Sequence, residues 1–195
     1  WGKPQSIMFA DSTMFVALNH YLGFEHPAYS GLPEYRRAAK TKENMPYDMA
    51  EAMIATAYPF EHTDSSAVIN RMIYEGALTA VKMALVKNAK LNEALGYTDE
   101  QLQWLEKNEV ELWRKMVGSK MIFDLSETVA DRLVLPSPTT TILSPECPGR
   151  AGRYIGYKIV ESYLKSQPNA RLEQLLSPNF YGVQNPLTVT NYSPR

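Results

Sequence analysis

The sequence has few of the residues that most often make chemistry legible. Its 195 residues include one cysteine, Cys147, and three histidines, His20, His26 and His62. A single cysteine excludes an internal disulfide. No histidine lies near it in the sequence, so a plain buried or loop thiol is expected rather than a nucleophile. No basic block occurs. With 20 basic and 21 acidic residues the net charge is −1, which argues against nucleic acid or an anionic membrane surface as partner. A long hydrophobic run is also missing. The least charged stretch, Leu133 to Pro145, is interrupted by Pro136 and Pro138 and is far too short for a spanning helix. No repeat or low-complexity segment is present. No signal peptide is visible at Trp1-Gly2-Lys3-Pro4, an opening that reads as the middle of something longer.

What is present is a helical protein. A 45% hydrophobic content over this length suits one good-sized core, so a single domain over residues 1–195 is expected. Its centre is Tyr47 to Leu85, two helical runs joined by a polar turn. In the first, Met49, Ala52, Met53, Ala57 and Tyr58 recur near the helical period and predict the inward face. In the second, Ser65 or Ser66 is placed to cap, and Val68, Ile69, Met72, Ile73, Gly76, Leu78, Ala80, Val81 and Ala84 cover more than half the surface, predicting burial.

Before that centre, Ser6 to Phe9 and Thr13 to Leu18 read as two short strands around Ala10-Asp11-Ser12. Phe24 to Leu32 reads as a loop, and Pro33 can start a short helix through Ala39. After it, Lys87 to Gly96 reads as a turn or frayed end. Thr98 and Gln101 form a T-x-x-Q capping box that starts a helix at Asp99. Its apolar set runs from Leu102 to Met121, about six turns. Trp113 is expected in the core and Trp104 at its edge, not as a sugar platform. Ser126 is placed to cap a helix over Glu127 to Val134, and the prolines make Leu135 to Thr141 extended. Arg150 or Ala151 starts the last long helix. Gly149, Gly152 and Gly156 form a small-residue ridge there, costing about 1 kcal/mol each against alanine, so another element must approach it closely. Leu172 to Leu176 is predicted as a final short helix and Phe180 to Arg195 as an extended tail.

Two carboxylates, Glu51 and Glu75, interrupt the apolar central runs, and an unpaired buried carboxylate is costly. Their placement is similar to that in gluzincin metallopeptidases. There a first helix carries HExxH, and a second, about twenty residues on, supplies a glutamate as third zinc ligand. Here Ala50-Glu51-Ala52-Met53-Ile54 stands in the place of HExxH, and Glu75 follows Ile54 by 21 residues. Both imidazoles are absent, so the pattern reads as a zincin-like frame that has lost its metal site. The plainer alternative is that Glu51 faces solvent or caps a neighbour and Glu75 makes an ordinary salt bridge.

Four motifs carry a wider resemblance: ALNHYLGFEHPAY with LPEY after it (Ala17 to Tyr35), RMIYEGAL (Arg71 to Leu78), LGYTDEQLQWLEKNEVELW (Leu95 to Trp113) and SPECPGRAGRYIGYKIVESYL (Ser144 to Leu164). Together they resemble the gliding-motility lipoprotein GldB family of Bacteroidetes over nearly the whole chain. That family is in turn similar to predicted zinc proteases with an HE-x-x-H helix, an EG-x-A helix and a GY-x-x-G helix in this order. The resemblance implies an α+β, mostly helical fold with a zincin-like core, a short N-terminal β-hairpin or edge strands, and about six helices. Ile7 to Leu18 would be outer strands, the edge strand lying over the cleft. It also implies that the chain is the larger, C-terminal part of a longer lipoprotein, anchored by a lipid outside it and facing the periplasm of a Gram-negative envelope.

The functional expectation is a pseudo-metallopeptidase, a non-catalytic binding or assembly component whose partner is an envelope protein or peptide. No cofactor, metal or catalytic residue is expected, and membrane contact is expected only through the lipid anchor. The candidate cleft comprises Glu51, Glu75, Arg150, Arg153 and Tyr154. Arg150 and Arg153 flank a helix start, where they could attract an anion or pair with Glu75 or Glu127. The alternative function is a peptidase with a rewired site that uses Glu51, Glu75 and one of the three histidines.

Overall fold

The computed structural model describes residues 6–182 and 186–194. The opening Trp1 to Pro4 lies outside the described residues, as do 183–185 and 195 of the expected tail. The architecture is mostly helical with a two-stranded antiparallel hairpin, β1 (Ile7–Ala10) and β2 (Thr13–Val16), joined at Asp11 with φ 52°. Leu18–His20 turns into a 3-10 helix instead of continuing the strand. Met8 and Phe15 are exposed, and β1 leans on α2 (Met45–Ala57).

The core is arranged around α3 (Val68–Leu85), whose residues from Val68 to Lys82 are buried except Arg71. No serine hydroxyl caps it. Asn70 Oδ1 accepts the Ala67 N–H at 2.7 Å and the Val68 N–H reaches the Asp124 carbonyl, so the first turn is satisfied by its own third residue and by a distant loop. Helix α2 packs on α3 through Tyr47, Ala50 and Ile54. The predicted face was off by one position, since Met53, Ala57 and Tyr58 are exposed. Helix periodicity places Glu51 beside Ala50 and Ile54, on the inward side.

Around this pair stand α1 (Glu34–Ala38), α4 (Leu91–Leu95), α5 (Asp99–Gly118), α6 (Glu127–Val134), α7 (Ala151–Ser166), α8 (Leu172–Leu175), α9 (Pro178–Tyr181) and α10 (Pro186–Thr190). Three of these correct the expectation. Helix α4 replaces a frayed turn, and α9 and α10 replace an extended tail. The Thr98–Gln101 capping box starts α5 as expected, with both reciprocal bonds formed. Trp104 and Trp113 are both half-buried against the core, Trp113 meeting the Tyr192 ring edge-on. Helix α6 has the predicted bounds, although Ser126 contributes no side-chain cap.

The glycine ridge of α7 meets backbone. A Cβ on Gly156 would overlap the Met72 carbonyl of α3, and a Cβ on Gly76 would overlap the Gly156 carbonyl, so the two helices cross with main chains in contact. Gly152 sits against Leu133 of α6, and Gly149 against the Ser137 carbonyl. Gly156→Ala is therefore expected to lower the unfolding free energy by about 2–3 kcal/mol despite alanine's better helix propensity. Gly118→Ala at the end of α5, where an added Cβ meets nothing, should be neutral or slightly stabilising. Urea unfolding of the two variants measures the difference.

Candidate functional site

Helices α2, α3 and α7 bring Glu51, Glu75 and Arg153 to one point. Arg153 is 5% exposed, and its Nη2 lies 2.6 Å from Glu51 Oε1 and 2.6 Å from Glu75 Oε2, with Nε 2.8 Å from the same Glu75 oxygen. The other two carboxylate oxygens are also taken. Arg71 reaches Glu75 Oε1 at 2.8 Å, and Lys82 reaches Glu51 Oε2 at 2.5 Å. Lys82 donates as well to the Ala94 carbonyl at 2.6 Å, which fixes α4 against α3. Two buried or half-buried carboxylates thus accept from three cations, and no oxygen of either is without a charged donor.

The electrostatics follow from the burial. Desolvation pushes the Glu51 carboxyl up, but Arg153 and then Lys82 more than offset it and hold it well below the usual carboxylate range. For Arg153, burial works against the charge, and Glu51 and Glu75 reverse the balance and hold the proton more tightly than usual. Burial lowers Lys82; Glu51 opposes that shift but does not overcome it, with Arg153 repelling from nearby. One helical turn before Glu51, Asp48 is pushed up by burial although it accepts the Tyr21 hydroxyl.

Arg150 comes from the loop before α7. It adopts φ 63°, a left-handed conformation uncommon for a bulky residue. Neighbouring bonds hold it there: Thr140 Oγ1 donates to the Pro148 carbonyl and accepts the Ala151 N–H. The guanidinium lies over Gly96 and donates to the Leu95 carbonyl at 2.6 Å. Among the described residues Arg150 forms no ion pair. Burial, and then the nearby Arg153, lower its proton affinity.

A cavity of about 380 Å³ opens beside this cluster. Glu51, Glu75, Arg71, Arg150 and Arg153 reach it, with Phe60, Tyr74 and the Val134 to Pro136 segment among its apolar walls. Four of the five expected cleft residues therefore meet there. Tyr154 does not. It is fully buried, and its hydroxyl donates to Glu109 of α5 at 2.7 Å, on a different side of α7. The hairpin is also absent from the lining, so no edge strand covers the cleft.

The three histidines lie away from the carboxylates. His20 bonds Ser6 at 2.7 Å, His26 accepts from the Ala28 N–H, and His62 faces a separate cavity with Leu125 and Asp131. Cys147 is buried, and burial pushes its thiol up to about 12, a poor nucleophile. Among the described residues no group of three or more His, Cys, Asp and Glu is placed to hold a metal ion.

The family model described as gliding motility protein GldB matches residues 2–194. The chain belongs to that family. GldB membership supports a lipoprotein related to gliding motility, and among the described residues no helix is long and apolar enough to cross a membrane. No curated protein and no solved structure matches this GldB-family chain.

Lys82 and Arg71 were missed from the sequence although a local signal existed. Arg71 stands four residues before Glu75 and Lys82 seven after, so all three share one face of α3. Removing one member of a buried ion cluster leaves the rest uncompensated. Arg153→Met is expected to cost about 3 kcal/mol, at the lower end of the range because Arg71 and Lys82 each retain one carboxylate oxygen. Adding Glu75→Gln should recover part of that loss, as read by urea unfolding.

The pH response has a definite sign. The folded Glu51 carboxyl is held below its ordinary 4.5, so its charge contributes stability that is fully present above about pH 4.5 and lost as pH falls further. The stability gap between the native chain and Glu51→Gln should be widest at neutral pH and close below that value. Asp48, pushed up mainly by burial, is present in both proteins, and Glu51→Gln removes only the smaller part of that rise that the Glu51 charge supplies.

Proposed function

We propose that this GldB-family chain is a non-catalytic cell-envelope lipoprotein, a binding or assembly component built on a degenerate gluzincin-like frame. The observation that carries this reading is the Arg153 guanidinium lying between Glu51 and Glu75. In a gluzincin the position of Glu51 holds the general base and that of Glu75 a zinc ligand; here a guanidinium of the protein itself lies between the two.

Zinc does not fit the residues present. Ala50 and Ile54, at the positions of the two imidazoles, are buried and have no donor atom. Each oxygen of Glu51 and Glu75 already accepts from an arginine or lysine. Both carboxylates are engaged by these cations, and Glu51, held well below the usual carboxylate range, is a poor general base. The distant histidines weigh against the rewired peptidase as well.

In this reading the partner is an envelope protein or peptide, and the chain reaches the membrane through a lipid outside it, facing the periplasm. The purified chain is expected to carry no stoichiometric zinc and to show no shift in melting temperature on adding it. Metal analysis finding one zinc per chain, lost on Glu75→Gln, would falsify the proposal. Complementation by a folded Glu51→Gln chain, which loses the carboxylate but keeps a side-chain acceptor oxygen, would count against catalysis.

A further inference from the structure

The cavity beside the cluster carries a charge imbalance that has a chemical meaning. Arg71 and Lys82 are matched by Glu75 and Glu51, and Arg153 is shared between those two glutamates. Arg150 reaches the same cavity and, among the described residues, hydrogen-bonds the neutral Leu95 carbonyl and forms no ion pair, while Glu51 and Glu75, which attract it from nearby, are already paired. Asp48 is close enough to interact with Arg150 but is engaged by Tyr21. Among the described residues three cations, Arg71, Arg150 and Arg153, and two carboxylates, Glu51 and Glu75, line the cavity, an excess of one positive charge that is unchanged when Lys82 and Asp48 behind them are added. A cation held partly out of water without an ion pair of its own is costly, and a bound anion would relieve that cost.

The remaining lining narrows the choice of anion. Glu51 is 30% exposed, and its oxygens, each with one charged donor, retain acceptor capacity towards the opening. Two carboxylates in the lining disfavour a dianion such as phosphate, whereas one excess charge suits a monoanion. Phe60, Tyr74, Leu78 and Leu135 supply an apolar wall. A volume of about 380 Å³ takes one or two amino-acid residues, within the range of small-ligand sites.

We infer that the cavity binds the C-terminal carboxylate of a peptide or protein ending in an apolar residue. Arg150 takes the carboxylate, Glu51 accepts the N–H of the last residue, and the apolar wall receives its side chain. This rests on the reading of the cleft as a non-catalytic binding site, and it specifies the part of the partner that enters.

The test uses the full chain with acetyl-Ala-Ala-Leu as free acid, the same peptide as C-terminal amide, and inorganic phosphate, each titrated by NMR or calorimetry. The free acid should bind at least about tenfold more tightly than the amide, and phosphate should bind more weakly than the free acid. Arg150→Asn, chosen because asparagine tolerates the left-handed backbone, should abolish the preference for the acid. Equal binding of acid and amide, or phosphate binding as well as the acid, overturns the assignment; the acid–amide comparison needs no variant. Mass analysis of the recovered peptide keeps the two readings apart. An intact peptide that fails to bind overturns only the ligand, whereas cleavage of the peptide overturns the non-catalytic reading.

Discussion

A guanidinium shared by two carboxylates from two other helices is the constraint on which the rest of the molecule depends. Arg153 can reach both only if α7 lies directly against α3, and α2 must present Glu51 from the adjoining side. The glycines at the crossing allow the first. At Gly76 and Gly156 the two backbones touch, so the arginine three residues before Gly156 enters the space between α2 and α3. The second follows from Tyr47, Ala50 and Ile54, which seat α2 with Glu51 turned inward. Small residues and buried charges in this protein are two halves of one arrangement.

Such an arrangement is specific more than it is strong. Desolvating two carboxylates and three cations is expensive, and their mutual attraction roughly offsets it, so a cluster of well-packed apolar residues would serve stability equally well. What the ions impose is register: a slip of one turn in any of the three helices would leave a charge buried alone. The lysine that completes Glu51 also accounts for α4, whose last turn offers the Ala94 carbonyl to the ammonium.

The legible parts of the fold were those with local causes. The capping box of α5 and the bounds of α6 depend on a few neighbouring residues, and the α7 glycine ridge announced a close approach without saying to what. The meeting of Glu51 and Glu75 was readable from their spacing; the plainer expectation of a salt bridge at Glu75 also holds, since Arg153 and Arg71 are its partners. Decisions made over distance were not legible. The face of α2 was misjudged because Met53 and Tyr58 look apolar whether or not anything covers them. The start of α3 was misassigned because its cap comes from Asn70 and Asp124, not from the serines beside it. Helix α4 spans five residues, too few for a period. Tyr154 was expected in the cleft, but the helix position after Arg153 points elsewhere, here to Glu109.

Distance along the chain also sets when the site can exist. Arg153 joins partners 78 and 102 residues earlier, and Tyr181 accepts the Glu61 N–H across 120. While a ribosome is still making α6, the two glutamates have no arginine between them and the side of α3 that meets α7 has no cover. Assembly of this centre thus waits until α7 has been made, and the chain before that point is the form in which a chaperone would meet it.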